Sequence, residues 1–201
     1  MSEKKFRIEN CIASYPYVME PNEDNDGKYT IDMLCNVKKH RVLIKNLKAE
    51  ALLVAEKRWG KVPPKLKLSF IEENVEKFVH EDDNEQKGFV AGEFKDGYDE
   101  QTVLISANNK QRPVVTDRDP SVILTNKGDV KGGYKINGSI HLYAWEYKNR
   151  KGVSANIRAV QVVDNTMPLL GSGAGSVDAA SEFDDISDEL EDEEDDGLGD
   201  D

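Results

Sequence analysis

Gly133-Tyr-Lys-Ile-Asn-Gly-Ser-Ile-His-Leu-Tyr-Ala-Trp-Glu-Tyr147 is the stretch on which the fold turns. Its even-numbered positions, Tyr134, Ile136, Gly138, Ile140, Leu142 and Ala144, form an apolar series. Its odd ones give Lys135, Asn137, Ser139, His141, Tyr143, Trp145 and Tyr147. A period of two with one apolar side is a β-strand with one buried face. The other face is polar, then aromatic. The turn Lys148-Asn-Arg-Lys-Gly152 follows at once, and a second alternating run sets Val153, Ala155 and Ile157 opposite Ser154, Asn156 and Arg158. A hairpin is expected, with Arg158 sharing the aromatic face. Gly138 leaves one alternative open, because a glycine can bulge a strand and exchange its faces beyond that point.

Toward the N-terminus the same period recurs. Phe6, Ile8 and Ile12 alternate with Lys5, Arg7 and Glu9, and Tyr29, Ile31, Met33, Cys35 and Val37 with Thr30, Asp32 and Asn36. Two long strands are expected there, joined by an exposed loop over Glu20–Gly27, which is rich in turn formers and acids. From Arg41 to Trp59 the period changes. Ile44, Leu47, Ala51 and Val54 fall at spacings of 3 and 4, and Gly60 supplies a stop, so this is the one expected helix. Beyond Pro63-Pro64, Leu66, Leu68 and Phe70 resume alternation. Short strands are expected at Gln101–Ala107 and Arg112–Thr116, with a mobile acidic segment at His80–Lys87 between them and Phe70.

The charge is divided unevenly along the chain. Of 201 residues, 27 are Lys or Arg and 39 are Asp or Glu, a net charge of -12. Fourteen of those acids lie in Ser176–Asp201, where there is no cation, which leaves 25 acids against 27 cations in the body. We read residues 1–170 as one folded domain and 171–201 as a flexible Gly/Ser linker with a disordered acidic tail. A mildly basic body tethered to a polyanion is suited to binding polyanions, and the tail would compete for that site. No apolar run approaches a membrane span, and the N-terminus lacks the apolar core of a secretion signal, so a soluble, cytoplasmic protein is expected.

Tyr143, Trp145 and Tyr147 next to Lys148, Arg150 and Lys151 place stacking surfaces beside cations. That is the combination single-stranded nucleic acids need: flat rings accept any base, and cations follow the phosphates. Lys135 on the same strand, Arg158 on the next, and Arg112 and Arg118 upstream complete the candidate DNA-binding set. Lys38-Lys39-His40-Arg41 is more simply a solvated helix start. Catalysis finds no support. Gly171-Ser-Gly-Ala-Gly-Ser176 lacks the Lys and the strand-to-helix setting of a phosphate loop, and no nucleophile motif is present. Cys11 and Cys35 lack any CxxC spacing and the three His are scattered, so no metal and no cofactor is expected and both cysteines read as reduced strand residues.

Several short motifs occur in an order that resembles a known family: Ser14-Tyr15-Pro16 with Glu20-Pro21, the strand around Lys28-Tyr29, Lys57-Arg58-Trp59-Gly60 with Pro63-Pro64, Arg112-Pro113-Val114-Val115 with Asp117-Arg118, Gly132-Gly133-Tyr134, Tyr143-Ala144-Trp145 and Gly152-Val153. The series is similar to that of the single-stranded-DNA-binding proteins of tailed-phage replication modules. The resemblance covers most of residues 6 to 170. It implies a mainly β fold, an OB-fold five-stranded barrel elaborated with one α-helix and followed by a disordered acidic C-terminal tail. It also implies non-catalytic, largely sequence-independent binding of single-stranded DNA during phage replication, recombination and repair in the host cytoplasm. Its partners would be a polymerase, helicase or nuclease met through the tail. Tails of this kind often end in an aromatic or apolar residue, whereas this one ends Gly197-Leu-Gly-Asp-Asp201. Phe183 and Ile186, with Asp184, Asp185, Asp195 and Asp196 around and beyond them, are the candidate partner-binding residues. A homo-oligomer stays open, since barrel edges can pair. The competing class is an acidic-tailed assembly or histone-type chaperone with a β-scaffold, which has no need of the aromatic face.

Overall fold

A computed structural model of the chain describes residues 4–84 and 88–170. Along it come β1 (Lys5–Asn22), β2 (Lys28–Asn36), the helix α1 (Arg41–Trp59), and the two-residue strands β3 (Lys67–Leu68) and β4 (Ile71–Glu72). Then follow β5 (Thr102–Asn109), β6 (Val114–Thr116), β7 (Lys135–Tyr147) and β8 (Arg150–Asp164). β1 pairs antiparallel with β2 and β7, β2 with β5, and β7 with β8. The ring closes where β5 and β8 meet in parallel at Asn108 and Asn156. Asn109 strengthens that seam by donating from Nδ2 to the Ile157 carbonyl at 2.9 Å. A closed five-stranded barrel in the order β1-β2-β5-β8-β7, with that one parallel contact, is an OB-fold. The helix and three short strands are additions to it.

Residues directly opposite in an antiparallel pair share a face. Ile8 with Gly138, Met33 with Ile105, and Ile140 with Ile157 therefore point into the barrel together, and all except the glycine are fully buried side chains. Gly138 is there for space. A Cβ at that position would lie 2.4 Å from Met33 Sδ, so the missing side chain lets Met33 cross the barrel. The alternation of β7 runs through Gly138 unchanged. The bulge lies instead on β8, between the pairs Ser139–Ala159 and Ile140–Ile157. Arg158 is the extra residue, which puts it outside the regular alternation that carries Tyr143 and Trp145.

The helix spans the expected residues. Gly60 ends it at φ +73, and its N–H reaches the Glu56 carbonyl at 2.7 Å, a conformation glycine adopts without strain. Ile44, Leu47, Ala51 and Ala55 are its buried face, packed against β7 and β8. The two alanines leave room for close approach. Trp59 Nε1 donates to Glu146 at 3.0 Å, tying the helix end to β7.

Three expectations change. β1 runs on to Asn22, three residues into the stretch expected as the Glu20–Gly27 loop, bending at Asn10 (φ +55) and Tyr15 (φ +44). The strand expected over Leu66–Phe70 is split: Lys67 pairs with Gly152 on β8, whereas Ile71 pairs with Ile105 on β5. The chain crosses from one neighbour to the other, and Phe70 turns inward between them to be almost wholly buried. The acidic stretch expected to be mobile is braced in its described part by bridges from Val79 to Phe94 and Asn84 to Phe89. The linker and tail, residues 171–201, lie outside the described residues. Among the described residues no helix is long and apolar enough to cross a membrane.

Candidate nucleic-acid interface

The outward face of β1, β2 and β5 is set by register. Ser14 stands opposite Asp32 and Tyr17 opposite Thr30, while Asp32 and Thr30 in turn face Ser106 and Asn108. Between Ser14 and Tyr17 the register shifts, and Tyr15 takes φ +44. The left-handed region costs a residue with a Cβ about 1 kcal/mol or more. The bend turns the Tyr15 ring outward, 67% exposed. Strain that presents an aromatic ring to solvent points to use by a ligand.

Tyr15 borders three successive stretches of one cleft. The first, toward the β1–β2 loop, is lined by Asn22, Thr30, Ser106, Asn108 and Ser154. The middle one holds Lys67, Ser69, Lys77, Lys95 and Tyr98. The third, about 620 Å³, is walled by Tyr15, Tyr17, His80, Phe89, Tyr98, Lys95 and Lys131. Its rings are ordered: His80 and Phe89 stack with centroids 4.1 Å apart, and Tyr98 leans on Phe78 at 5.0 Å. Burial pushes the Tyr98 phenol up, partly offset by its hydrogen bond with Ser14, so it stays a neutral hydroxyl. Among the lysines, Lys77 is paired with Glu72 and Lys95 Nζ donates to the Lys77 carbonyl at 3.2 Å.

The residues expected from sequence divide into groups. Tyr143 stands opposite Ser154, a residue that lines the first stretch of the cleft. Trp145 stands opposite Gly152 and lies across it; a Cβ there would be 2.4 Å from the indole. Tyr147 and Arg150 face each other at the hairpin end, and Lys148, at φ +50, holds its Nζ 5.3 Å from the Tyr147 ring centroid. These five gather at one hairpin tip. Lys151 turns toward the helix, 5.4 Å over the Trp59 ring and 3.7 Å from Glu146.

The other cations lie elsewhere. Lys135 is paired with Asp164 at the far end of β7, about 40 Å of strand away from Tyr147. Arg118 is at that same end, donating from Nε to the Val163 carbonyl at 2.8 Å. Arg112 reaches the Thr125 carbonyl at 3.3 Å, and Arg158 is exposed just before the β6–β8 pairing begins. Lys38 and Lys39 cap the side chain of Asn36 through their N–H groups, and His40 Nε2 meets the Glu9 carbonyl at 2.7 Å, as a helix entrance does. Phe183, Asp184, Asp185, Ile186, Asp195 and Asp196 lie outside the described residues.

What sequence reading missed is the part built around Tyr15, Tyr17, Phe89, Tyr98 and Lys131. Tyr15-Pro16-Tyr17 carried a signal, two aromatics two residues apart just past an apolar alternation. Phe89 and Tyr98 come from a non-periodic segment and carried none. Among the described residues no group of three or more His, Cys, Asp or Glu is arranged to hold a metal. Cys11 and Cys35 are free and buried, and the Cys11 thiol is pushed well up, first by its hydrogen bond with Cys35 and then by burial, which keeps it from acting as a thiolate.

A closed five-stranded barrel of this order, with an open, ring-lined groove across its outer strands, is an OB-fold domain, a fold that binds oligonucleotides or oligosaccharides on that kind of face. The chain belongs to the family of the Enterobacter phage Enc34 ssDNA-binding protein, whose family model matches residues 4–197. It is 31% identical over 187 residues to protein p50 of Acyrthosiphon pisum secondary endosymbiont phage 1, covering 91% of this chain and 94% of that protein. In fold it is similar to the single-stranded DNA-binding protein of bacteriophage Enc34 (TM-score 0.62, 21% identity, 90% of each chain). That protein has also been solved in complex with ssDNA (TM-score 0.61, 22% identity, 82% of this chain and 88% of that one). The single-stranded DNA binding protein encoded by bacteriophage T7 shares the architecture at a TM-score of 0.51 and 17% identity, over 84% of this chain and 96% of that one.

Proposed function

We propose that this chain binds single-stranded DNA along the cleft over β1, β2 and β5, without catalysis and with little sequence preference, in phage replication or recombination in the host cytoplasm. The observation that carries this is Tyr15, a strained, exposed ring common to all three stretches of the cleft. Tyr17 and Tyr98 extend the stacking surface along the third stretch, and Lys67, Lys95 and Lys131 border it for phosphates. The hairpin tip supplies a second wall, with Tyr143 and Trp145 as stacking surfaces and Lys148 and Arg150 as phosphate-binding cations. Membership of a phage ssDNA-binding family and the likeness to a relative solved with ssDNA support the reading.

The division into a binding domain, residues 1–170, and a linker with an acidic tail, residues 171–201, belongs to the same proposal. Fourteen carboxylates on a Gly/Ser tether reach an effective concentration on the order of millimolar near the body. They compete with DNA for its cations and, once displaced, are offered to a polymerase, helicase or nuclease through Phe183 and Ile186. The test is titration of a labelled oligo(dT) read by anisotropy, comparing Tyr15→Ala, Tyr17→Ala, Tyr143→Ala and Trp145→Ala. Each is expected to weaken binding by about 1–3 kcal/mol wherever a base stacks. Native melting with unchanged affinity in all four would overturn the placement.

A further inference from the structure

Asp32 stands in the part of the cleft where a polyanion has least use for a carboxylate. It sits on β2 between two serines, Ser14 on one side and Ser106 on the other, and Ser106 Oγ donates to its Oδ1 at 2.5 Å. Burial raises its pKa and the Ser106 hydrogen bond draws it back. Among the described residues that line this stretch, Asn22, Thr30, Asn108 and Ser154 are neutral, Asp24 is a second acid, and there is no Lys or Arg. The lysines Lys67, Lys77 and Lys95 border the adjoining stretch instead. A half-desolvated carboxylate without a cation repels phosphate and accepts hydrogen bonds from neutral donors.

We propose that Asp32 is a base-reading residue: it accepts a hydrogen bond from an exocyclic amine of a nucleobase turned into the cleft, so that phosphates keep to the lysine-lined rim. This rests on the reading of the cleft as the single-stranded-DNA site. The donors that fit are the N4 amine of cytosine, the N6 amine of adenine, and the N1–H and N2 amine of guanine. Thymine presents a carbonyl where cytosine has its amine, and its single N3–H lies between two carbonyl oxygens that face the carboxylate unfavourably. Ser106 holds one carboxylate oxygen, Oδ1, and the other, Oδ2, is the proposed acceptor. Binding is thereby tolerant of sequence along the stacked rings but graded at this one position.

The experiment compares oligo(dC), oligo(dT) and oligo(dU) of one length at one salt concentration, with wild-type protein, Asp32→Asn and Asp32→Ser. Oligo(dU) removes the thymine methyl as a variable. The wild type is expected to bind oligo(dC) more tightly than oligo(dT) or oligo(dU), by about tenfold per position read. Both variants, melting like the wild type, are expected to lose that ratio, and the near-isosteric Asn, which can donate to O4, to shift it toward dT. A ratio that is the same in wild type and variants overturns the assignment. So does equal tightening of all three oligonucleotides in Asp32→Asn, which makes Asp32 a repulsive charge and nothing more. Wild-type protein that binds none of the three overturns the proposed function itself.

Discussion

Replacing Tyr15 by Gly separates what this residue costs the fold from what it does for a ligand. In the folded protein Tyr15 holds φ +44 with its side chain 67% exposed. Removing the ring therefore sacrifices little burial. A residue with a Cβ is destabilised by about 1–2 kcal/mol in the left-handed region, which Gly avoids, while Gly forfeits about 0.5–1 kcal/mol through the entropy of the unfolded chain. The balance lies between zero and about 1.5 kcal/mol in favour of the variant, at most about 6 °C in melting temperature for a domain of this size. Loss of a stacked base costs about 1–3 kcal/mol, which is about 5- to 150-fold in Kd. Thermal melting followed by circular dichroism, and anisotropy of a labelled oligo(dT), read the two quantities independently. Tyr15→Ala, which keeps the strain, should bind as poorly as Tyr15→Gly and melt below it. If Tyr15→Gly melts several degrees below the wild type, the bend is a structural need and the inference from strain to ligand fails; if it binds with wild-type affinity, the ring stacks on nothing.

Neutralising Lys148, Arg150 and Lys151 together should flatten the salt dependence of binding by about 0.7 in log-log slope for each phosphate that no longer meets a cation. Lys151 should contribute least to that change, being engaged with Glu146 and Trp59; a larger effect from Lys151 alone than from Lys148 would contradict the placement. Truncation after Leu170 should tighten DNA binding most at low salt, and less once the Debye length falls to about 10 Å near 0.1 M, while abolishing pull-down of replication proteins; unchanged affinity at low salt would refute competition by the tail. Gly152→Ala should cost stability and DNA affinity together, because the added Cβ would meet both the Trp145 ring at 2.4 Å and the Lys67 carbonyl at 2.8 Å. Leu47→Ala, at a wholly buried helix position, should cost about 2–5 kcal/mol of stability and leave oligonucleotide affinity as it was.

Local patterns are legible in a sequence when the residues that cause them are neighbours in the chain. The alternation in β7, the helix from Arg41 to its glycine stop, and the hairpin turn at Lys148 are of that kind, and each stands where its period puts it. The hairpin-tip rings follow from the same alternation. The acidic tail also belongs to sequence alone, since its charge needs no fold to be read. Barrel closure does not, because Asn108 and Asn156 are far apart in the chain and meet only once three other strands, β2, β1 and β7, have carried the sheet round to them. Nor does the cleft: Tyr15 comes from a bend in β1, Phe89 and Tyr98 from an irregular segment, and Ser106 and Asp32 from different strands brought into register. The order of motifs pointed to the OB-fold, but no period in the chain says which outward face of the barrel will be open. That was decided by which faces the helix, β3 and β4 cover, and coverage is a property of tertiary packing.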